Sequence, residues 1–265
     1  MSVLASKRDI SRIEYAKYYI ELYKYSVDRL NRVPKRKQKW ICLPISEILN
    51  EIYEDIMTIN NDVFKYGIKE KSVSQQAMTV INKLLSLQKP LITLWIIERY
   101  PFEKMAKWAV MINKEIENMA RFGELCTNDY SELFIIDYQA MEEMKFLSNM
   151  AELHRFIYSK TISLPRKARD SDGSILMSLS SEALYRLIKA NRNMPKDKDS
   201  YEKRKEDISI ALNCLRQMQP PIFSLFLLMN YNEETMTKWA DLLNTELKLL
   251  NGLITSDAKR FSAIY

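Results

Sequence analysis

The chain has 265 residues, a formal net charge of +6, and only four glycines, eight prolines, three cysteines and one histidine. An average chain of this length carries roughly 18 or 19 glycines, so the deficit excludes a dinucleotide fold or P-loop, where glycines let backbone approach phosphate, and an all-β sandwich or barrel with glycine turns. One histidine, His154, cannot build a His-rich zinc site, and these counts together point to an all-helical protein without a catalytic role.

The predicted elements follow from apolar residues recurring every three or four positions. A first helix runs from about Asp9 to Arg32 and stops before Pro34, because the residue preceding proline resists the α conformation. A basic loop, Pro34 to Lys39, leads to a second helix from about Pro44 to Asp62, lined by Ile45, Ile48, Leu49, Ile52, Ile56 and Ile59. A turn around Gly67 leads to a third helix, Ser72 to about Arg99, in which Pro90 should kink the helix or split off its last turns. A fourth runs from Pro101 to about Phe122, lined by Met105, Trp108, Ile112, Ile116 and Met119. Proline in its first turn is harmless because that N–H has no partner. The same four elements recur at about 131–163, 177–193, 199–230 and 233–254. The glycines fall at predicted helix ends and loops: Gly123 and Gly252 near the fourth helix of each set, Gly67 and Gly173 in loops.

That recurrence is an internal repeat. Met105-Ala-Lys-Trp108-Ala and Met236-Thr-Lys-Trp239-Ala stand 131 positions apart. At the same offset, without gaps, Gln88 meets Gln219, Pro90 meets Pro221, Leu94 meets Leu225, Tyr100 meets Tyr231, Asn113 meets Asn244 and Glu115 meets Glu246. Further back, Asn60 meets Asn191, and Val33-Pro34-Lys35-Arg36 meets Leu164-Pro165-Arg166-Lys167. The expected fold is all-α: two tandem up-down four-helix bundles related by internal duplication, one in residues 1–123 and the other in 131–265. Residues 1–130 hold 21 Lys and Arg against 16 Asp and Glu, so the first copy is basic; residues 131–265 hold 19 against 18 and are near neutral.

Little in the chain suggests catalysis. His154 has Tyr23 at its matching position, so the repeat lends it no support as a catalytic group. Bundle metal sites use Glu-x-x-His pairs, and none occurs; no metal or cofactor is expected. The repeated Lys-Trp and Asn-x-Glu positions read as inter-helix hydrogen bonds or as a shared interface. Cys42, Cys126 and Cys214 are odd in number and lack metal-like spacing, so they read as reduced thiols of a cytoplasmic protein. The opening residues lack the apolar core of a secretory signal, and the longest apolar runs, Leu91–Ile97 and Pro221–Met229, fall short of the ~20 residues of a membrane-spanning helix.

The basic stretches carry the one chemical signal. Arg29, Arg32, Lys35, Arg36, Lys37 and Lys39 crowd together beside Trp40, after Lys7, Arg8 and Arg12. The second copy has Arg166, Lys167 and Arg169, then Lys189, Arg192, Lys196, Lys198, Lys203, Arg204 and Lys205. Clustered Lys and Arg attract phosphates with a salt-dependent energy indifferent to sequence; the alternative is solvated loops and helix ends, with Glu202 and Glu206 partly neutralising the later run.

Pro34-Lys35-Arg36, Asn60-Asn61, Trp108-x-x-x-Ile112-x-x-Glu115, the closing Thr255-Ser256-Asp257-Ala258-Lys259-Arg260-Phe261 and the opening Ser2-Val3-Leu4-Ala5-Ser6-Lys7-Arg8 follow one another in a familiar order. In these features the unit resembles the four-helix-bundle family that includes proteins encoded in intervening sequences of 23S ribosomal RNA genes and the accessory variability determinant of diversity-generating retroelements. The resemblance implies a non-enzymatic accessory protein that binds nucleic acid, RNA or an RNA–DNA hybrid, and associates with a reverse transcriptase copying a template RNA. It implies contact residues Lys35, Arg36 and Lys37, with Arg166 and Lys167 in the second copy and Lys259 and Arg260 near the end. The family's units form a pentameric ring. A fused pair departs from that pattern, since two units per chain cannot close a five-unit ring without one left over; a pseudo-dimer and a different oligomer are the alternatives. A scaffold that binds only protein is the second functional reading.

Overall fold

The structure, a computed structural model, describes residues 14–66, 70–125, 138–229 and 231–262. Every element among these residues is helical, as the composition predicts. The chain divides into two compact units, Met1–Ile136 and Asp137–Tyr265. The expected start of the first helix and of the second copy, the Gly67 turn, Cys126, and Lys7, Arg8 and Arg12 lie outside the described residues.

The first unit contains α1 (Glu14–Leu30), α2 (Lys35–Tyr66), α3 (Glu70–Ser86), α4 (Gln88–Glu98) and α5 (Phe102–Phe122). α1 packs against α2 and α5, and α3 packs against the same two, so four long helices surround one core. Tyr19, Leu22, Ile45, Leu49, Ile52, Leu84, Met105, Trp108 and Ile112 fill it. Of the stripe expected on α2, only Ile48 is partly exposed. Pro90 divides the third helix as expected. A proline clashes with the carbonyl four residues earlier, and α3 ends at that residue, Ser86, before α4 resumes beyond Leu87. Taken together, Val73–Glu98 is long and apolar enough to cross a bilayer by length and composition, a longer stretch than the apolar runs had suggested; here its Val80, Ile81, Leu84, Leu91 and Leu94 are buried in the unit.

One boundary needs correction. The basic stretch expected as a loop is the start of α2, which begins at Lys35 and carries Pro44 inside it. Lys, Arg and Gln are good helix formers, and Pro34, unable to extend α1, opens the new helix by accepting the Lys37 N–H at 2.8 Å. Proline within the helix removes one backbone hydrogen bond. Burial of Ile41, Cys42 and Ile45 on the same stretch offsets that loss.

The second unit contains α6 (Tyr138–Glu143), α7 (Lys145–Ile162), α8 (Arg166–Ala168), a π-helical turn (Arg169–Gly173), α9 (Ser174–Arg192), α10 (Lys198–Gln217), α11 (Gln219–Met229) and α12 (Glu233–Arg260). α7 packs against α9 and α12, and α10 packs against the same two. The long helix expected from about 131 is broken at Met144, whose backbone is extended (ψ 109°). Helix also begins at Arg166 rather than near 177, so Gly173 is in a helical turn and not a loop. A Cβ there would lie 2.4 Å from the Thr161 Cγ2, so only glycine lets this turn press against α7. Gly252, expected near the end of the last helix, has open space around it, and α12 continues past it to Arg260. Pro221 acts like Pro90, with α10 ending four residues before it at Gln217.

Candidate nucleic-acid interface

The basic residues around Pro34 do not form one uniform patch. Arg29 lies over the Tyr25 ring, 5.0 Å from its centroid, and its Nε is 3.6 Å from Asp28; its backbone carbonyl accepts the Tyr100 hydroxyl at 3.1 Å. Lys37 is committed as well, its Nζ donating to Glu98 on α4 at 2.6 Å and tying α2 to that helix. Arg32 is exposed and held by both oxygens of Asp28 at 3.0 Å. Lys35 and Arg36 are exposed and form no ion pair among the described residues. Lys39 is exposed, its ammonium 4.7 Å from the centroid of the Trp40 ring. The exposed cations are Arg32, paired with Asp28, then Lys35 and Arg36, and Lys39, which lies over the partly exposed Trp40.

The second unit presents less free charge. Arg166 and Lys167 are exposed, with Arg166 3.5 Å from Asp170. Lys259 and Arg260 end α12 on its outer side, while Asp257 and Phe261 of the same segment turn inward. Arg204, grouped by sequence with the later basic run, is buried: its Nε donates to Asp257 at 2.7 Å and another guanidinium N–H to the Ala190 carbonyl. That side chain joins α10, α12 and α9 and is not available to phosphate. Lys189 likewise faces the buried Asp207, at 3.9 Å. Lys203 and Lys205 remain exposed.

The repeated Lys-Trp pairs have a common geometry that sequence spacing did not disclose. Trp108 stands edge-on to Tyr25 at 5.9 Å, and Lys107 lies over the same Tyr25 ring at 5.2 Å, as does Arg29. In the second unit Trp239 stands edge-on to Phe156 at 5.8 Å, with Lys238 and Lys160 each over that ring at 5.4 Å. Such cation–ring contacts contribute about 0.5–2 kcal/mol, so these lysines serve packing.

The buried polar groups are structural in their surroundings. Glu115 is fully buried, its oxygens making no well-formed hydrogen bond among the described residues, and burial pushes its carboxyl well above the ordinary range, with the nearby Asn118 amide opposing part of the rise. Glu246 is pushed up to about 8 by burial, against the pull of the Asn149 amide, which donates to Oε2 at 2.7 Å. Glu246 thus makes an inter-helix hydrogen bond, its donor on α7, whereas Glu115 at the matching position makes none. His154 is buried and lowered to about 3 by burial and by Arg155. The imidazole Nδ1 and the Ser180 hydroxyl share a hydrogen bond at 2.8 Å, and the Ser180 Oγ is also 3.0 Å from the Met177 carbonyl. Cys42 and Cys214 are buried free thiols, and burial lifts Cys42 to about 11. Among the described residues, no three His, Cys, Asp or Glu come together as a metal site.

Comparison with known proteins yields no match among protein-family models, curated proteins or solved structures.

Proposed function

We propose that this chain is a non-enzymatic accessory protein that binds nucleic acid and works beside a reverse transcriptase, as its resemblance to the retroelement accessory family implies. The observation that carries the nucleic-acid part is the disposition of charge. Lys35 and Arg36 are exposed and form no ion pair among the described residues, whereas Arg29, Arg32, Lys37, Lys39, Lys107 and Arg204 are engaged with neighbouring rings or carboxylates. Unneutralised cations on one surface are what phosphate binding needs.

The reading includes an internal duplication of an up-down four-helix bundle. Several independent features support it at the 131-residue offset. α4 and α11 correspond at both ends, and α5 and α12 at their starts. Both units have Trp edge-on to an aromatic ring that also carries two cations, and both bury a glutamate at the same position of the last helix. A protein partner, the reverse transcriptase in this reading, is favoured by the apolar outer side of α11, where Phe223, Phe226, Leu227 and Leu228 are exposed.

The test is binding to RNA and to an RNA–DNA hybrid across salt concentrations. Affinity should fall steeply with salt, and Lys35→Glu with Arg36→Glu should weaken it at least about tenfold at low salt while flattening the salt slope by roughly 2. Binding indifferent to both changes would sink the nucleic-acid reading and leave the protein-only scaffold.

A further inference from the structure

Trp40 differs from the other three tryptophans. Trp95, Trp108 and Trp239 are buried in their units, where an indole supplies core volume. Trp40 is partly exposed near the start of α2, between Lys39 and the buried Ile41. Helical spacing puts Arg36 one turn before it and Leu43 about one turn after it, and both are exposed. The opposite side of the same turns, Ile41, Cys42 and Ile45, faces the core, so the surface is held on a rigid element. Arg36, one turn away, and Lys39, whose ammonium lies over the indole, therefore flank this ring, with Lys35 exposed further round the start of the helix.

We infer that this surface binds single-stranded nucleic acid, with a base stacked on Trp40 and the flanking phosphates held by Arg36, Lys35 and Lys39. Duplex nucleic acid hides the faces of its bases and offers a ring nothing to stack on, whereas a single strand offers every face; stacking with adjacent cations is how such strands are held without sequence preference. The Lys39 ammonium over the indole at 4.7 Å marks the ring as a surface attractive to charge. A base arriving on that face displaces the ammonium, which then serves the phosphate. An anionic membrane is the other surface that basic and aromatic residues can meet. It requires a broad apolar helix face, and here the apolar side of these turns is buried in the unit apart from Trp40 and Leu43. The inference rests on the nucleic-acid reading above and narrows it to strand type.

The experiment uses the full chain with a fluorescein-labelled 15-nucleotide oligouridine and, separately, a 15-base-pair RNA duplex, followed by anisotropy and by tryptophan emission. The single strand should bind more tightly than the duplex and quench the emission, and the quench should vanish in Trp40→Phe, which keeps a stacking ring and most of the affinity. Trp40→Ala should weaken single-strand binding roughly 5- to 100-fold and change duplex binding less than about twofold, with helical content by circular dichroism unchanged. If Trp40→Ala has no effect while Lys35→Glu with Arg36→Glu still weakens binding, stacking is refuted and the nucleic-acid reading stands. If neither RNA binds, or only phosphatidylserine vesicles bind and quench Trp40, both are overturned.

Discussion

α4 and α11 start and end 131 residues apart and carry Pro and Leu at matching positions: Pro90 with Pro221, Leu94 with Leu225. Their surroundings differ sharply. α4 is buried almost all round, with Leu91, Ile92, Leu94, Trp95 and Ile96 inaccessible. α11 buries only Pro221 and Leu225, and Phe223, Leu227 and Leu228 at the matching outer positions are 61%, 62% and 69% exposed. The elements that cross them differ in chemistry: Lys37 of α2 reaches Glu98 of α4, while Asp172 of the π-helical turn accepts the Ser224 hydroxyl of α11 at 2.6 Å. An apolar helix is therefore core in one unit and surface in the other, although both helices are predominantly apolar. Large exposed apolar patches on soluble proteins mark interaction sites, and the second unit is the one that keeps such a patch.

The two units also differ in how they hold their last long helix, and the largest expected effect tests that difference. Arg204 and Asp257 form a buried pair in the second unit, where the first unit has Val73 at the position matching Arg204. Asp257→Ala leaves the guanidinium buried without its counter-charge and should cost about 3–5 kcal/mol, read as loss of amide protection in α10 and α12 by hydrogen exchange, with α1 to α5 unaffected. Next, Ile92→Ala should destabilise the first unit by about 2–4 kcal/mol, measured by urea unfolding; a cost below 1 kcal/mol would mean that α4 is not core.

Glu246 gives a pH signature. Unfolded, a glutamate ionises near 4.5; folded, this one keeps its proton to about 8. Unfolding thus releases a proton across that window, and stability falls as pH rises from about 5 to 8. Glu246→Gln, which can still accept the Asn149 hydrogen bond, should remove this residue's share of that slope, leaving the share of Glu115, and add about 4 kcal/mol at pH 8, checked by urea midpoints at pH 5 and pH 8. On the acid side the trend reverses: His154, lowered to about 3, loses its contribution as pH falls from about 6.5 towards 3. The smallest effect belongs to α11. Leu227→Ala should change stability by less than about 0.5 kcal/mol, and an effect as large as that of Ile92→Ala would erase the contrast between the two helices.

Much of this architecture was legible in the residues. Pro90 was expected to kink or split its helix, and the break falls at Ser86, with Pro221 and Gln217 repeating it, because the clash with the carbonyl four residues earlier is local and unavoidable. The apolar stripe of α5 and the repeat around Trp108 and Trp239 were visible because core packing repeats with the helix period. Less visible was the start of α2. Its run of Lys and Arg reads as a loop by charge, yet those residues are good helix formers once Ile41 and Ile45 beside them are buried. The basic cluster was legible as composition only; which of its members point outward depends on the helical phase of α2, and that phase was misplaced along with the boundary.

Composition, proline placement and apolar spacing determine by themselves that the chain is helical, that Pro90 divides a helix and which faces are apolar, since each depends on backbone sterics or on neighbours within a turn. The tertiary structure decided the rest. It turned Arg204 inward onto Asp257 and Ala190, set Arg29 and Lys107 on the Tyr25 ring, left Lys35 and Arg36 outward, and covered α4 while leaving α11 bare. Each of those outcomes depends on a partner tens of residues away, and a side chain's own identity does not say whether such a partner will be there.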